Sequence, residues 1–279
     1  MHESLKTKAE LAKSGDAKVT GCLVFIGLVL YFVWWPLCVG VAVVFIIYKV
    51  YAGKSISEFE MSGEVHLGGE DVSLISFEET KPEAIPFAVV MDVETTGLLV
   101  DDTAPTIKKV KENPDSYPRI VQIAWVTLDR NYTPVQIHAY YVRQNSPIPE
   151  RAIEIHGITN EVCDSQGVDL MYVLDVFRES IAQCDYYVGH NVQFDRYVIE
   201  AESIKHSLPK PFKHMRMYDT MKMGTSVTGR FKSTLPFLAE CVLGKKVLAE
   251  AGGNFHDARS DVRITATIFK ALHSRGIKH

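Results

Sequence analysis

The sequence predicts an α/β domain with a mixed sheet over residues 85–279, preceded by a charge-free apolar segment. Two observations predict the fold class. Three strand-like segments, Phe87–Glu94, Ile120–Leu128 and Val135–Val142, come in succession, the last two rich in β-branched and aromatic residues and joined by the polar turn Asp129-Arg-Asn131. Helical patterns then alternate with a further strand, the order of an α/β layer rather than of an all-β sandwich. The length supports this reading, because 279 residues at 47% apolar composition suit one medium domain plus accessory segments.

Phe87–Glu94 is an apolar run that breaks at a Gly turn, which marks a buried strand. Residues 101–117 form a polar insertion leaving the same strand end, with Lys108, Lys109 and Lys111 as either phosphate contacts or a solvated face. Helical spacing covers Asn160–Asp164 and Val168–Ala182, Tyr186–Val188 reads as a strand, and helices follow over Val192–Lys205, Thr234–Val242 and Ala258–Leu272. Between them, Lys205–Lys232 carries seven Lys/Arg interleaved with Phe212, Tyr218 and Phe231, and Asp219 as its one acid. That mixture suits phosphates and stacked bases, or else a solvated loop.

Four acids stand in settings that suit metal chemistry. The period of two places Asp92 and Glu94 on one face of the first strand, at its end. Two unpaired carboxylates there repel each other, and a hard divalent cation such as Mg²⁺ neutralises them best. Asp195 follows a strand and a Gly-His-Asn turn at the start of a helix, and Asp261 opens the last helix, five residues after His256. Aspartates from separate elements with a histidine beside them make the layout of in-line phosphoryl displacement.

These segments resemble the motifs of the DnaQ-like 3′–5′ exonucleases of the DEDDh type. The first motif matches Asp92-Val-Glu-Thr-Thr-Gly-Leu98, the second Gly189-His-Asn-Val-Gln-Phe-Asp195, and the third His256-x4-Asp261. Pro118-Arg-Ile-Val-Gln-Ile-Ala124 and Ile155-His-Gly-Ile-Thr159 also match family segments. A related type has a tyrosine four residues before the final aspartate, where this chain has Asp257, read as a helix N-cap.

The resemblance spans residues 85–279 and implies a ribonuclease H-like fold. It also implies two Mg²⁺ ions, with Mn²⁺ able to substitute. One is held by Asp92, Glu94 and Asp261; the other is bridged by Asp92, with Asp195 acting directly or through water. His256 takes the proton from the attacking water, a task suited to an imidazole near neutral pH. The partner is a nucleic acid with a free 3′ end, single-stranded DNA favoured, with RNA or a non-catalytic binding role as alternatives. Thr95 and Thr96, through backbone N–H and hydroxyl groups, are expected to bind the 3′-hydroxyl. Leu98 is expected to wedge against the terminal base and His156 to contact the terminal nucleotide. The glutamate that the family often carries five residues before that histidine is Arg151 here, with Glu150 one further back. His190, Asn191 and Phe194 are read as shaping their turn.

Outside this part, residues 1–18 form a tail, 19–50 a membrane segment and 51–84 an acidic, Gly-containing linker. Val19–Tyr48 contains no charged residue, whereas about 20 apolar residues suffice to span a bilayer. Pro36 at its middle leaves a single pass and a hairpin both open. Lys6, Lys8, Lys13 and Lys18 precede the segment, and Lys49 and Lys54 follow it. Cys163, Cys184 and Cys241 are odd in number and have no disulfide-framework spacing, so a membrane-anchored domain facing the reducing cytoplasm is the expectation. The net charge is −4, and residues 85–279 hold 23 basic and 23 acidic residues, which excludes a globally basic nucleic-acid binder and requires a local patch.

Overall fold

The computed structural model describes residues 74–76, 80–81, 83–100, 102–250 and 255–277. Strand β1 (Ala88–Thr95) is followed by α1 (Ile107–Glu112), β2 (Ile120–Leu128) and β3 (Pro134–Tyr141), then α2 (Glu150–His156), α3 (Asn160–Gln166) and α4 (Leu170–Ile181). The chain continues through β4 (Tyr186–Gly189), α5 (Gln193–Lys205), β5 (Arg216–Asp219), the single turns α6 (Thr220–Met223) and α7 (Thr225–Thr228), α8 (Leu235–Glu250, broken at Gly244, whose φ of 80° is not helical) and α9 (Ala258–His273).

The sheet order is β3-β2-β1-β4-β5. The β1–β2 and β2–β3 pairs are antiparallel, whereas β1–β4 and β4–β5 are parallel, so the sheet is mixed as the pattern predicted. Alternation along β1 divides the core. Ala88 and Val90 face α8 and α9, with Ile264, Ile268 and Phe269, while Val89, Met91 and Val93 face Phe177 and Ile199 of α4 and α5. Each face removes a continuous apolar surface from water, the dominant favourable term in folding.

The site lies where this pairing fails. β4 pairs with β1 only as far as Val90 and then turns away at Gly189, leaving the last part of β1 without a parallel neighbour. Crevices at the carboxyl ends of parallel strands are the usual ligand sites of α/β sheets. Gly189 makes the turn possible: a Cβ there would meet Val192 Cγ2 at 2.8 Å and the Met91 carbonyl at 3.2 Å. Replacing Gly189 by Ala is expected to destabilise the domain by about 1–3 kcal/mol, as overpacking does. Denaturant unfolding measures this, and an unchanged midpoint would contradict it.

The sequence pattern gave no element at α1, α2, β5, α6 or α7. β5 runs through the basic stretch, where four residues, Arg-Met-Tyr-Asp, are too few to show alternation among the lysines. α2 was not read, and its Pro149 N-cap makes no side-chain capping hydrogen bond. The insertion meets α5 through Asp102, which accepts from Gln193 Nε2, but then runs down that helix. Val110 and Tyr117 pack on Ala201 and Ile204, so Lys108, Lys109 and Lys111 ride beside the far half of α5, with Lys108 and Lys111 exposed, as the solvated-face alternative has it.

The tail, the membrane segment and most of the linker lie outside the described residues. Among the described residues no helix is long and apolar enough to cross a membrane. Within the stretch read as a linker, Ile75 is buried, its N–H donates to Thr267 Oγ1 at 3.1 Å, and its carbonyl accepts from Arg263 Nε at 2.9 Å. Packing on α9 therefore begins before residue 85.

Candidate active site

Asp92 and Glu94 point to the α9 side of β1, opposite Ala124 and Gln122 of β2. Ala124 is small, and with Ala258 and Val262 it lets the start of α9 approach the sheet closely. That approach delivers the third acid: Asp261, 6% exposed, lies in the first turn of α9. The fourth comes from the other side. Asp195, in the first turn of α5, accepts the Val93 N–H at 3.0 Å, which is the donor that β4 leaves unpaired. Helix first turns favour carboxylates, because the unpaired N–H groups there carry partial positive charge.

The four acids form one electrostatic cluster. Burial, followed by the charges of Asp195, Asp261 and Glu94, holds the Asp92 carboxyl well above the usual range. Burial, then Asp261 and Asp195, pushes Glu94 up to about 8. Asp195 and Asp261 rise to about 7 through burial, against the opposing pull of the Val93 and His256 N–H donors. Without a cation, the folded protein therefore keeps protons that the unfolded chain, with ordinary values of 3.8 and 4.5, has already lost. Folded acids that hold extra protons make stability fall as pH rises through that window. The metal-free protein is expected to lose thermal stability steadily between about pH 5 and pH 8, and saturating Mg²⁺ to restore more of it at each step. Melting curves with and without Mg²⁺ measure both effects, and a Mg²⁺ effect that does not grow with pH would contradict the account.

The residues present fit a divalent metal. Among the described residues, buried Asp261 Oδ1 has no hydrogen-bond partner, an acceptor that a cation would satisfy. Glu94, His256 and Asp261 offer ligand atoms that all lie within 4.8 Å of one another. His256 is exposed, and its N–H donates to Asp261 Oδ2 at 3.1 Å. Its φ of 66° is left-handed, a conformation that costs a non-glycine residue about 1–3 kcal/mol and persists where the surroundings hold it.

Two residues that the sequence reading passed over support this geometry. Gln122 donates through Nε2 to Asp257 Oδ1 at 2.9 Å and accepts the Ala258 N–H at 2.9 Å, clamping the start of α9 to β2. A glutamine inside the otherwise apolar run Ile-Val-Gln-Ile-Ala was the available signal, since a buried amide must be hydrogen-bonded. Asp219, 1% exposed, accepts the Asn191 and Met221 N–H groups at 2.9 and 3.0 Å, and its charge acts on Asp195. Asp257 occupies the N-cap position but makes no side-chain capping bond; it accepts instead from Gln122 and Ser260. Its charge also bears on Asp92, Glu94 and Asp261.

The expected substrate contacts fall around the same end of β1. Leu98 is 82% exposed. The Thr95 hydroxyl donates to the Gly97 carbonyl at 2.6 Å, and Thr96 N–H donates to the Arg119 carbonyl at 3.0 Å. The Thr96 hydroxyl accepts the Arg119 N–H and keeps its own proton for another acceptor. These bonds narrow what the two threonines can offer a ligand. His156 ends α2, and its Nδ1 accepts the Ile158 N–H at 3.0 Å, which fixes the neutral ring's proton on Nε2. That nitrogen is buried beside the Thr95 backbone; burial lowers the ring's pKa, against the opposing pull of a hydrogen bond to Thr95. Glu150 and Arg151 are exposed on α2. His190 bonds Thr220 Oγ1 at 3.1 Å and the Ser233 carbonyl at 2.8 Å, so it shapes its turn.

A family model described as Exonuclease, RNase_T, matches residues 89–269. The chain belongs to this exonuclease family. The matched span holds every acid of the cluster and His256, and the family depends on divalent metal. Among solved structures, the exonuclease domain is similar to Escherichia coli exonuclease I in complex with a dA16 oligonucleotide. That match has a TM-score of 0.53 and 17% identity, and covers 67% of this chain and 41% of that one. The zinc-bound form of the E. coli exonuclease I–ssDNA complex matches with a TM-score of 0.52 and 17% identity, over 67% and 40% of the two chains. This chain thus spans about two fifths of those proteins' length, and the likeness is one of fold. No curated protein matches the chain.

Proposed function

We propose that this exonuclease works from 3′ ends, releasing nucleoside 5′-monophosphates by metal-dependent hydrolysis with single-stranded DNA as the favoured substrate. The observation that carries the reading is the convergence of Asp92, Glu94, Asp195 and Asp261, drawn from three distant segments, on one end of β1. In it, Asp92, Glu94 and Asp261 would hold one Mg²⁺, and Asp92 and Asp195 would serve a second. Divalent ions bound there neutralise charge on the attacking and leaving oxygens. His256 takes a proton from the water that attacks phosphorus; the bond from phosphorus to the neighbouring 3′-oxygen breaks, and that oxygen takes up a proton to become the new 3′-hydroxyl. Leu98 lies against the terminal base, His156 contacts the terminal nucleotide, and the hydroxyl of Thr96 donates to its 3′-hydroxyl.

Exonuclease I is described with dA16 and single-stranded DNA, which supports single-stranded DNA as the first substrate to test. Membrane attachment is part of the same reading and rests on the charge-free run Val19–Tyr48, with the domain at the cytoplasmic face. The test follows 5′-labelled oligomers of single-stranded DNA, 3′-overhanging duplex and RNA with Mg²⁺ or Mn²⁺. A ladder shortened one nucleotide at a time, fastest on single-stranded DNA, is expected. Silence on every strand type would favour a binding module with a nuclease fold. Protease accessibility in intact cells tests the orientation.

A further inference from the structure

The basic stretch Lys205–Lys232 divides into two parts with different roles. Lys205 and Lys210 serve the interior: their ammonium groups lie 2.9 Å from Glu202 and Glu200, acids that are 3% and 1% exposed. Arg196 completes this network from 2.9 Å on Glu200. These cations neutralise buried acids of α5, and phosphates cannot recruit them without leaving those acids unpaired.

The loop between α7 and α8 is arranged differently. Gly229 closes α7 in a left-handed conformation, and the Arg230 N–H returns to Thr228 Oγ1 at 3.2 Å. The Arg230 guanidinium lies 4.2 Å over the Phe237 ring. At the far side, the Ser233 carbonyl accepts from His190 Nε2 at 2.8 Å. Both shoulders are thus held, and between them Phe231 stands 68% exposed, with Arg230 and Lys232 exposed on either side. Among the described residues Lys232 has no ion-pair partner. The anchor is close to the chemistry: His190 follows the end of β4 and stands five residues before Asp195, and its neighbour Asn191 is held by Asp219.

We infer that Arg230, Phe231 and Lys232 form a stacking platform for the single-stranded part of the substrate, upstream of the 3′ nucleotide being removed. An aromatic face takes any base, and cations on both sides meet the flanking phosphates, which is the combination used for sequence-tolerant single-strand binding. Because the loop is already fixed at both ends, little ordering opposes binding. A duplex end keeps its bases paired and gains nothing from the ring. The inference rests on the hydrolytic reading above, and it explains a preference for single strands without any base-specific contact.

The test uses the full chain and a labelled twelve-nucleotide thymidine strand, with a blunt duplex of equal length as comparison. Binding is read by fluorescence anisotropy in EDTA and hydrolysis in Mg²⁺. Phe231→Ala is expected to weaken single-strand binding about tenfold, within the range for losing one stacked base, and to leave duplex binding unchanged. Phe231→Trp restores affinity, whereas Phe231→Leu does not. Lys232→Gln lowers the slope of log affinity against log salt by about 0.7, the value of one phosphate contact on a single strand. Wild-type hydrolysis with equal single-strand affinity in Phe231→Ala overturns the platform alone, as does full affinity in Phe231→Leu. Absence of hydrolysis by the wild type on any strand overturns the platform together with the reading beneath it.

Discussion

Replacing Asp261 by Asn is expected to cut metal-dependent hydrolysis by about a thousandfold or more while raising the melting temperature of the metal-free protein at pH 8. Charge stabilisation by a bound divalent ion is worth several kcal/mol, and each 1.36 kcal/mol is a factor of ten in rate, so losing an anionic ligand at this position costs about three orders of magnitude. The stability change has the opposite sign for an electrostatic reason. Burial, with the charge of Asp257, pushes Asp261 up to about 7, so at pH 8 it is ionised in a buried site beside Asp257 with no cation to offset the desolvation and repulsion. The amide is close in shape, and its oxygen can still accept the His256 N–H that Asp261 Oδ2 receives at 3.1 Å. Activity assays and melting curves on the same preparation check both halves. Lower activity with lower stability would mean that Asp261 acts chiefly as a structural brace.

His256→Ala is expected to slow turnover by about 10²–10⁴-fold, the usual contribution of a positioned general base. The Mg²⁺-induced rise in melting temperature should persist, because the anionic ligands remain. This pairing matters, since His256 also stands within ligand range of Glu94 and Asp261. A variant that loses the Mg²⁺ effect along with turnover would make His256 a metal ligand, and one with near-normal turnover would remove it from the reaction.

The elements with strong local signals were legible in the sequence. β2 was read to its ends, because Ile120–Leu128 is rich in β-branched and aromatic residues, buried on both faces and closed by a polar turn. α5 and α9 were read within one residue at each end, since both carry their pattern over three turns or more. The four acids could be found because each ends a strand or opens a helix, and such positions mark the local sequence.

What escaped was decided by distance. β5 exists because Tyr186–Gly189 offers it a parallel edge, and no run of four residues can announce that. The fates of Lys205 and Lys210 depend on Glu202 and Glu200, whose burial is visible only once α5 is packed. Gln122 and Asp219 act on residues 135 and 28 positions away, so their partners could not be named from spacing.

Anomalous diffraction from crystals soaked in Mn²⁺ would test most directly whether the acids share a metal. Two peaks about 3.5–4 Å apart are expected, one bound by Asp92, Glu94 and Asp261 and the other reached by Asp92 and Asp195 directly or through one water. Peaks elsewhere, or an Asp195 beyond reach of any ion near Asp92, would contradict a shared metal site.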